Sequence, residues 1–348
     1  MNISKDTATI MKGYAILGIV LHNYLHNIAS FSPQNEKGFS VDNYAMYISH
    51  FNGQHSIPFL FCDAFSFIGW IGVVVFIFLS GYGIASKYPW DSKINSLEYV
   101  KYNWVKLFVL FLPAALYYLI VYCFFDVNGE FALGIVCLTT MLHNFVSNIV
   151  PINPGVYWYL GLTFQLYLFY LLFHINNKGQ RLMIMLGGIS LVCQALMLLN
   201  QSNQLLGWFR NNSFGWLPVF AVGVVCASKD FDIMIFNSRW FRFICIILCI
   251  PLMVVMNANE YIWLFLPFVV VAFFYSLSIE SQSCRLVKSI GLWLGKYSAF
   301  IFVAHPIARG IMYDHICPIA PKYTHLPIYL ILTLLLAILY KPAVQKLK

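Results

Sequence analysis

Lys12, His22, Asn23 and His26 fall within one short run, KGYAILGIVLHNYLH, that is otherwise apolar enough to sit in a lipid bilayer. Imidazole can take a proton from a hydroxyl near neutral pH, because its pKa lies close to the working range. Ionisable groups at membrane depth are costly, so they sit against protein or a water-filled cavity and mark chemistry or a transport path. On a helix, Asn23 falls within about 20° of Lys12, His26 about 40° away and His22 about 80° away on the same side. At a rise of about 1.5 Å per residue, His22 lies about 15 Å deeper than Lys12. The imidazoles are therefore candidate general bases with Asn23 beside them. Lys12 either attracts an anion or snorkels to the interface.

Later in the chain His305 and Arg309 are four apart and share a helical face. His305 either orients a reacting group or anchors a bend at Pro306; Arg309 either meets an anionic part of a substrate or snorkels. Trp158 and Gln165, seven apart, serve either substrate packing and hydrogen bonding or helix–helix packing. Ser80 is not read as a nucleophile, because Leu79 and Gly81 do not make a strand-to-helix elbow. Close helix packing, or a bend lining a tunnel, fits it better. The sequence has no carboxylate pair, phosphate-binding glycine loop or zinc spacing, so no metal and no resident cofactor is expected. Its 9 cysteines form no Cys-x-x-Cys pair, and Cys137, Cys193, Cys245 and Cys249 fall in apolar runs as small buried hydrophobes.

The elements that hold these groups follow from composition. The 348 residues are 60% hydrophobic and only 10% charged, where soluble domains carry roughly 25%. Apolar runs of about 20 residues recur from end to end, each long enough to span a bilayer as a helix. The expectation is an all-α polytopic bundle, a single domain over 1–348. The net charge of +8 is scattered through short connections, as in loops facing the cytoplasm, and is no nucleic-acid footprint. The first apolar run is too long and too polar for a cleavable signal peptide. Spans are expected at 8–31, 61–85, 105–125, 155–174, 182–199, 214–228, 241–257, 261–279, 297–314 and 327–340. Residues 32–58 read as a polar connection, and Asp126 and Glu130 as caps of an external turn. Residues 131–153 are apolar but hold His143, Asn144, Pro151 and Pro154. If they span, later basic connections move outside. If they are re-entrant, Lys178, Arg181, Lys229, Arg239, Arg242, Arg285, Lys288, Lys296, Lys341, Lys346 and Lys348 all face inward. The second reading gives about ten crossings with both termini cytoplasmic.

Several runs, in order, resemble a known family. KGYAILGIVLH resembles a basic residue, glycine, apolar run and histidine on a first helix. GWIGVVVFIFLSGYGIA resembles a Phe-rich second helix with Ser80, Gly81 and Tyr82 on its signature. The basic loop to Lys101 and Lys106 is similar to an Arg-rich approach to a third helix. Trp158, Tyr159 and Leu160 match a Trp-Tyr-Leu element, Leu217 to Gly223 a Leu-Pro-x-Phe-x-x-Gly helix, and LGKYSAFIFVAHPI a late helix ending in His-Pro. Together these resemble the membrane acyltransferase-3 family over nearly the whole chain. The resemblance implies O-acyl transfer in a bacterial inner membrane. The co-substrate would be an acyl-CoA, acetyl-CoA being the expected one, and the acceptor a hydroxyl on a surface glycan or its lipid-linked precursor. It implies donor binding by Lys12, Lys101, Lys106, Ser80 and Tyr82, and acceptor binding by Trp158, Tyr159, Gln165, His305 and Arg309. In the family ten residues separate the first-helix basic residue from its histidine; here nine separate Lys12 and His22, and Asn23 takes the expected place. Either His22 serves through a local helix adjustment, or His26 takes the role, or the site has changed. The rival readings are a transporter or flippase, whose polar groups would line a path, and a non-catalytic scaffold.

Overall fold

Backbone N–H and C=O groups in hydrocarbon have no water to bond, and a helix satisfies both within one segment. The apolar runs accordingly fold as helices in the computed structural model, and the described residues contain no strand. The structure describes residues 3–29, 45, 48–49, 57–125, 137–146, 155–175, 179–228, 234–312 and 323–346. The helices are α1 (Lys5–Ala29), α2 (Ile57–Ile68), α3 (Gly72–Lys87), α4 (Ser96–Phe125), α5 (His143–Val146), α6 (Trp158–His174), α7 (Gly179–Leu199), α8 (Asn203–Asn211), α9 (Ser213–Cys226), α10 (Arg239–Asn257), α11 (Leu266–Glu280), α12 (Arg285–Ile311) and α13 (Leu326–Lys346). Six helical stretches among the described residues are long and apolar enough to cross a membrane: Cys62–Lys87, Gly179–Leu199, Arg239–Asn257, Ile262–Ser283, Arg285–Ile311 and Tyr323–Lys346. The chain is an integral membrane protein, and the expected count of ten crossings is not reached by that measure.

The bundle is built around α1, which packs against α2, α3, α11 and α12. Lipid offers helices no hydrophobic reason to meet, so close packing through small residues has to hold them. At the α1–α12 crossing, a Cβ on Gly13 would lie 2.3 Å from the Gly291 carbonyl oxygen, and one on Gly295 would lie 1.8 Å from that of Thr9. Only backbone fits there. The two helices run in the same direction, since Thr9 and Gly13 meet Gly291 and Gly295 while Asn23 meets Arg309 further along. Helix α3 runs oppositely: Gly72 abuts Ala15, and Tyr82 donates to the Ile3 carbonyl at 3.1 Å. Helix α13 is also reversed, with Tyr329 stacked on Tyr24 at 4.6 Å and Lys341 4.0 Å above the Tyr297 ring.

One end of the bundle therefore gathers the starts of α1 and α12 and the ends of α3 and α13. Lys288 pairs with Asp6 at 2.8 Å there, Tyr14 bonds Ser281, and Arg239 and Arg242 both pair with Glu280.

Three expected boundaries are corrected. The late span begins at Arg285, not 297, so Lys288 and Lys296 ride on α12 rather than in a connection. A helix is bounded by its backbone hydrogen bonds, not by where it stops being polar, and the glycine crossing lies in that polar part. The third span likewise begins at Ser96. The connection after 199 contains α8, too short and polar to read as an element. Of 131–153, residues 137–146 hold helical turns broken at Met141, whose φ is 61°. Residues 131–136 and 147–153 lie outside the described residues, as do most of 32–58, Asp126, Glu130, Lys178, Lys229 and Lys348.

Gly295→Ala is expected to lower the melting temperature in detergent, because overpacking costs about 1–3 kcal/mol. Gly188→Ala, where a Cβ meets nothing within 4 Å, is expected to leave it unchanged. Equal melting of the two variants would show that the crossing has slack.

Candidate active site

Helix α1 is unbroken from Lys5 to Ala29, so no local adjustment brings Lys12 and His22 onto one face. The two residues serve different surroundings instead. His22 turns toward the junction of α2 and α3, where its Nδ1 lies 2.7 Å from the Ser66 carbonyl oxygen. A carbonyl only accepts, so Nδ1 carries the hydrogen and the neutral ring keeps its lone pair on Nε2. That Nε2 is buried and has no hydrogen-bond partner among the described residues. Gly69 makes the approach possible: a Cβ there would sit 2.7 Å from the His22 Cβ. His26 lies one turn on, its ring centroid 5.1 Å from that of His22, and faces the same Ser66 carbonyl.

Arg309 closes this group from α12. Its Nη1 donates to the Asn23 carbonyl at 3.2 Å, and its charge lies within electrostatic reach of His22, His26 and His305. Asn23 spends its amide on the Ile19 carbonyl of its own helix, 3.0 Å away. His305 is fully buried, with Nδ1 3.2 Å from the Ile301 carbonyl and Nε2 without a hydrogen-bond partner among the described residues. The structure thus brings together His22, His26, Asn23, His305 and Arg309. Chemically this is a buried cluster of imidazoles in which backbone carbonyls hold Nδ1 of His22 and of His305, the tautomer that leaves their Nε2 able to accept a proton.

Lys12 belongs to a second compartment, a cavity of about 340 Å³ whose walls also carry Lys87, Lys106, Ser80, Tyr159 and Phe302. Lys87, Tyr102 and Lys106 are exposed at its mouth. The Lys87 Nζ lies 3.7 Å from the Tyr102 ring centroid, a cation–π contact. Among the described residues no carboxylate lines the cavity, and three ammonium groups share it. Lys101 lies in an adjoining groove of about 380 Å³ with Glu98, Tyr102 and Lys106. Opposite the mouth, Ser80 and Tyr159 share a hydrogen bond of 3.3 Å, and Tyr159 meets Phe302 edge-on at 5.4 Å.

Other residues singled out from the sequence lie elsewhere. Tyr82 bonds the Ile3 carbonyl and does not line the cavity, since helix α3 turns it toward the start of α1. Trp158 is buried against Trp216, with ring centroids 6.3 Å apart. Gln165 accepts from the Ser213 backbone N–H at 2.9 Å and donates to Asn212 at 3.2 Å, tying α6 to the start of α9. Tyr159 shares the lysine cavity rather than the imidazole pocket. Phe302 was not legible, because a phenylalanine in an apolar run carries no signal. Arg210 was missed too: it is buried on α8, 3.7 Å from the Trp263 ring and 5.0 Å from that of Trp216, and its Nε donates to Gln194 at 2.7 Å. Those contacts make it a clamp between α7, α8 and α9. Among the described residues no group of three or more His, Cys, Asp or Glu side chains could hold a metal.

Gln165→Leu is expected to destabilise the fold by about 1–3 kcal/mol, because the buried Ser213 N–H loses its acceptor. Donor affinity is expected to stay at the wild-type value. A loss of donor or acceptor binding in a protein of normal melting temperature would restore Gln165 to the site.

A family model described as an acyltransferase domain matches residues 8–341, nearly the whole chain. No curated protein and no solved structure matches the chain.

Proposed function

Because the chain belongs to the membrane acyltransferase-3 family, and is thus an integral membrane acyltransferase, we propose that it moves an acyl group from acyl-CoA to a hydroxyl on a cell-surface glycan or its lipid-linked precursor. Acetyl-CoA is the expected donor. The observation that carries this reading is the pairing of a lysine-lined cavity with buried imidazoles just beyond its aromatic end. Lys12, Lys87 and Lys106, with Lys101 alongside, supply cationic charge, and no carboxylate among the described residues lines the cavity itself. Such a concentration of one sign attracts the phosphates of a coenzyme A.

The end of the bundle that gathers the starts of α1 and α12 and the ends of α3 and α13 also holds Lys12, Lys87, Arg239, Arg242, Lys288 and Lys341. The positive-inside bias turns such an end to the cytoplasm, where acyl-CoA is available. This orientation supports both termini being cytoplasmic and, for a bacterial cell, the inner membrane as the location.

The chemistry follows from the His22 geometry. The acceptor oxygen attacks the thioester carbonyl carbon, the new carbon–oxygen bond forms and the carbon–sulfur bond breaks. The hydroxyl proton passes to His22 Nε2 and then to the departing sulfur. Ser66 holds the ring in the tautomer this needs, as an orienting acceptor does for a general base. His22 is favoured over His26 because it is the more deeply buried ring. Arg309 stabilises negative charge developing on the carbonyl oxygen.

Purified protein with labelled acyl-CoA is expected to transfer the label to a glycan acceptor. His22→Ala is expected to reduce turnover by about 10²–10⁴-fold, the usual worth of a general base, with donor affinity nearly unchanged. Lys12→Ala is expected to weaken donor binding while sparing the turnover of bound donor. Substrate movement across vesicles without any covalent product would favour a transporter instead. Full activity of a His22→Ala, His26→Ala double variant would remove the mechanism.

A further inference from the structure

The lysine cavity and the imidazole pocket are separated by very little. Along α12, Ser298, Ala299 and Phe302 line the cavity, and the next residue on that face is His305. The Phe302 ring meets the His305 ring edge-on, with centroids 5.8 Å apart, and meets Tyr159 on its cavity side at 5.4 Å. Phe76 backs Tyr159 at 6.2 Å, so the inner end of the cavity is an aromatic wall. At Phe302 that wall is one ring thick. The backbone under it lacks one helical hydrogen bond. Pro306 has no N–H, so the Phe302 carbonyl loses its helical partner, and the His305 ring lies beside that carbonyl instead.

We propose that the Phe302 ring is the partition between the donor cavity and the imidazole pocket, and that it sets the length of acyl chain the cavity admits. This rests on the acyl-CoA reading above. With its polar arm among the lysines, a donor points its acyl group at Tyr159 and Phe302. A short group stops against the ring. A longer one collides with it. The thioester meets the imidazoles only when the ring swings aside, which keeps water and base away from the donor until the acceptor is in place.

The test is Phe302→Ala beside Phe302→Tyr, both compared with wild type as full-length protein in detergent after a melting check. Binding of a series of CoA esters is measured without acceptor, so catalysis does not enter. In Phe302→Ala each methylene beyond the wild-type limit is expected to raise affinity about fourfold, as newly buried apolar surface should. Phe302→Tyr is expected to keep the wild-type preference. Acceptor-free hydrolysis, in which water replaces the hydroxyl as nucleophile, is expected to rise in Phe302→Ala. Diethyl pyrocarbonate should also modify His305 faster in that variant, read by peptide mass spectrometry. An unchanged chain-length profile and unchanged His305 labelling in a folded Phe302→Ala protein would overturn the proposal while leaving acyl transfer intact. If wild type binds no CoA ester, the donor reading and this proposal fall together, whereas faster His305 labelling alone would retain the partition without the chain-length role.

Discussion

Helices in hydrocarbon gain nothing by hiding apolar surface from one another, so everything here depends on how closely α1 can be approached by its neighbours. The close approach is made with glycine. Gly291 and Gly295 let α12 lie on the backbone of α1 near its start, and Gly69 and Gly72 let the α2–α3 junction do so further along. These contacts have opposite chemical uses. The first fixes the depth of α12, and hence of His305 and Arg309. The second brings the Ser66 carbonyl within 2.7 Å of the His22 ring. Without either, the polar side chains of α1 would have no partners at a depth where water is scarce.

The polar groups are divided by surroundings rather than by position in the chain. Lys12 and His22 sit on one helix, yet the first faces a cavity of ammonium groups and hydroxyls and the second faces buried carbonyls and a guanidinium. A cationic compartment suits an anionic, water-soluble co-substrate. A neutral imidazole with its lone pair on Nε2 suits proton transfer. The aromatic wall formed by Phe76, Tyr159 and Phe302 supplies that separation with groups that bring little charge of their own.

The sequence by itself determined that the chain is a bundle of membrane helices, because charge depletion and long apolar runs leave a polypeptide in lipid no other way to satisfy its backbone. It also marked His22, His26, His305 and Arg309, since charge and imidazole at such depth stand out against the apolar background. It could not decide which of them share a compartment. That depends on helix crossings, and crossings are set by backbone contacts at glycines whose neighbours lie hundreds of residues away, as with Gly13 and Gly295. Tyr82 and Trp158 matched motifs and Gln165 stood out by its spacing from Trp158, but the tertiary structure uses them to tie helices together. Phe302 lay inside the His-Pro run without standing out from it and became the wall between compartments, because an aromatic ring acquires a function only from what stands on its two faces.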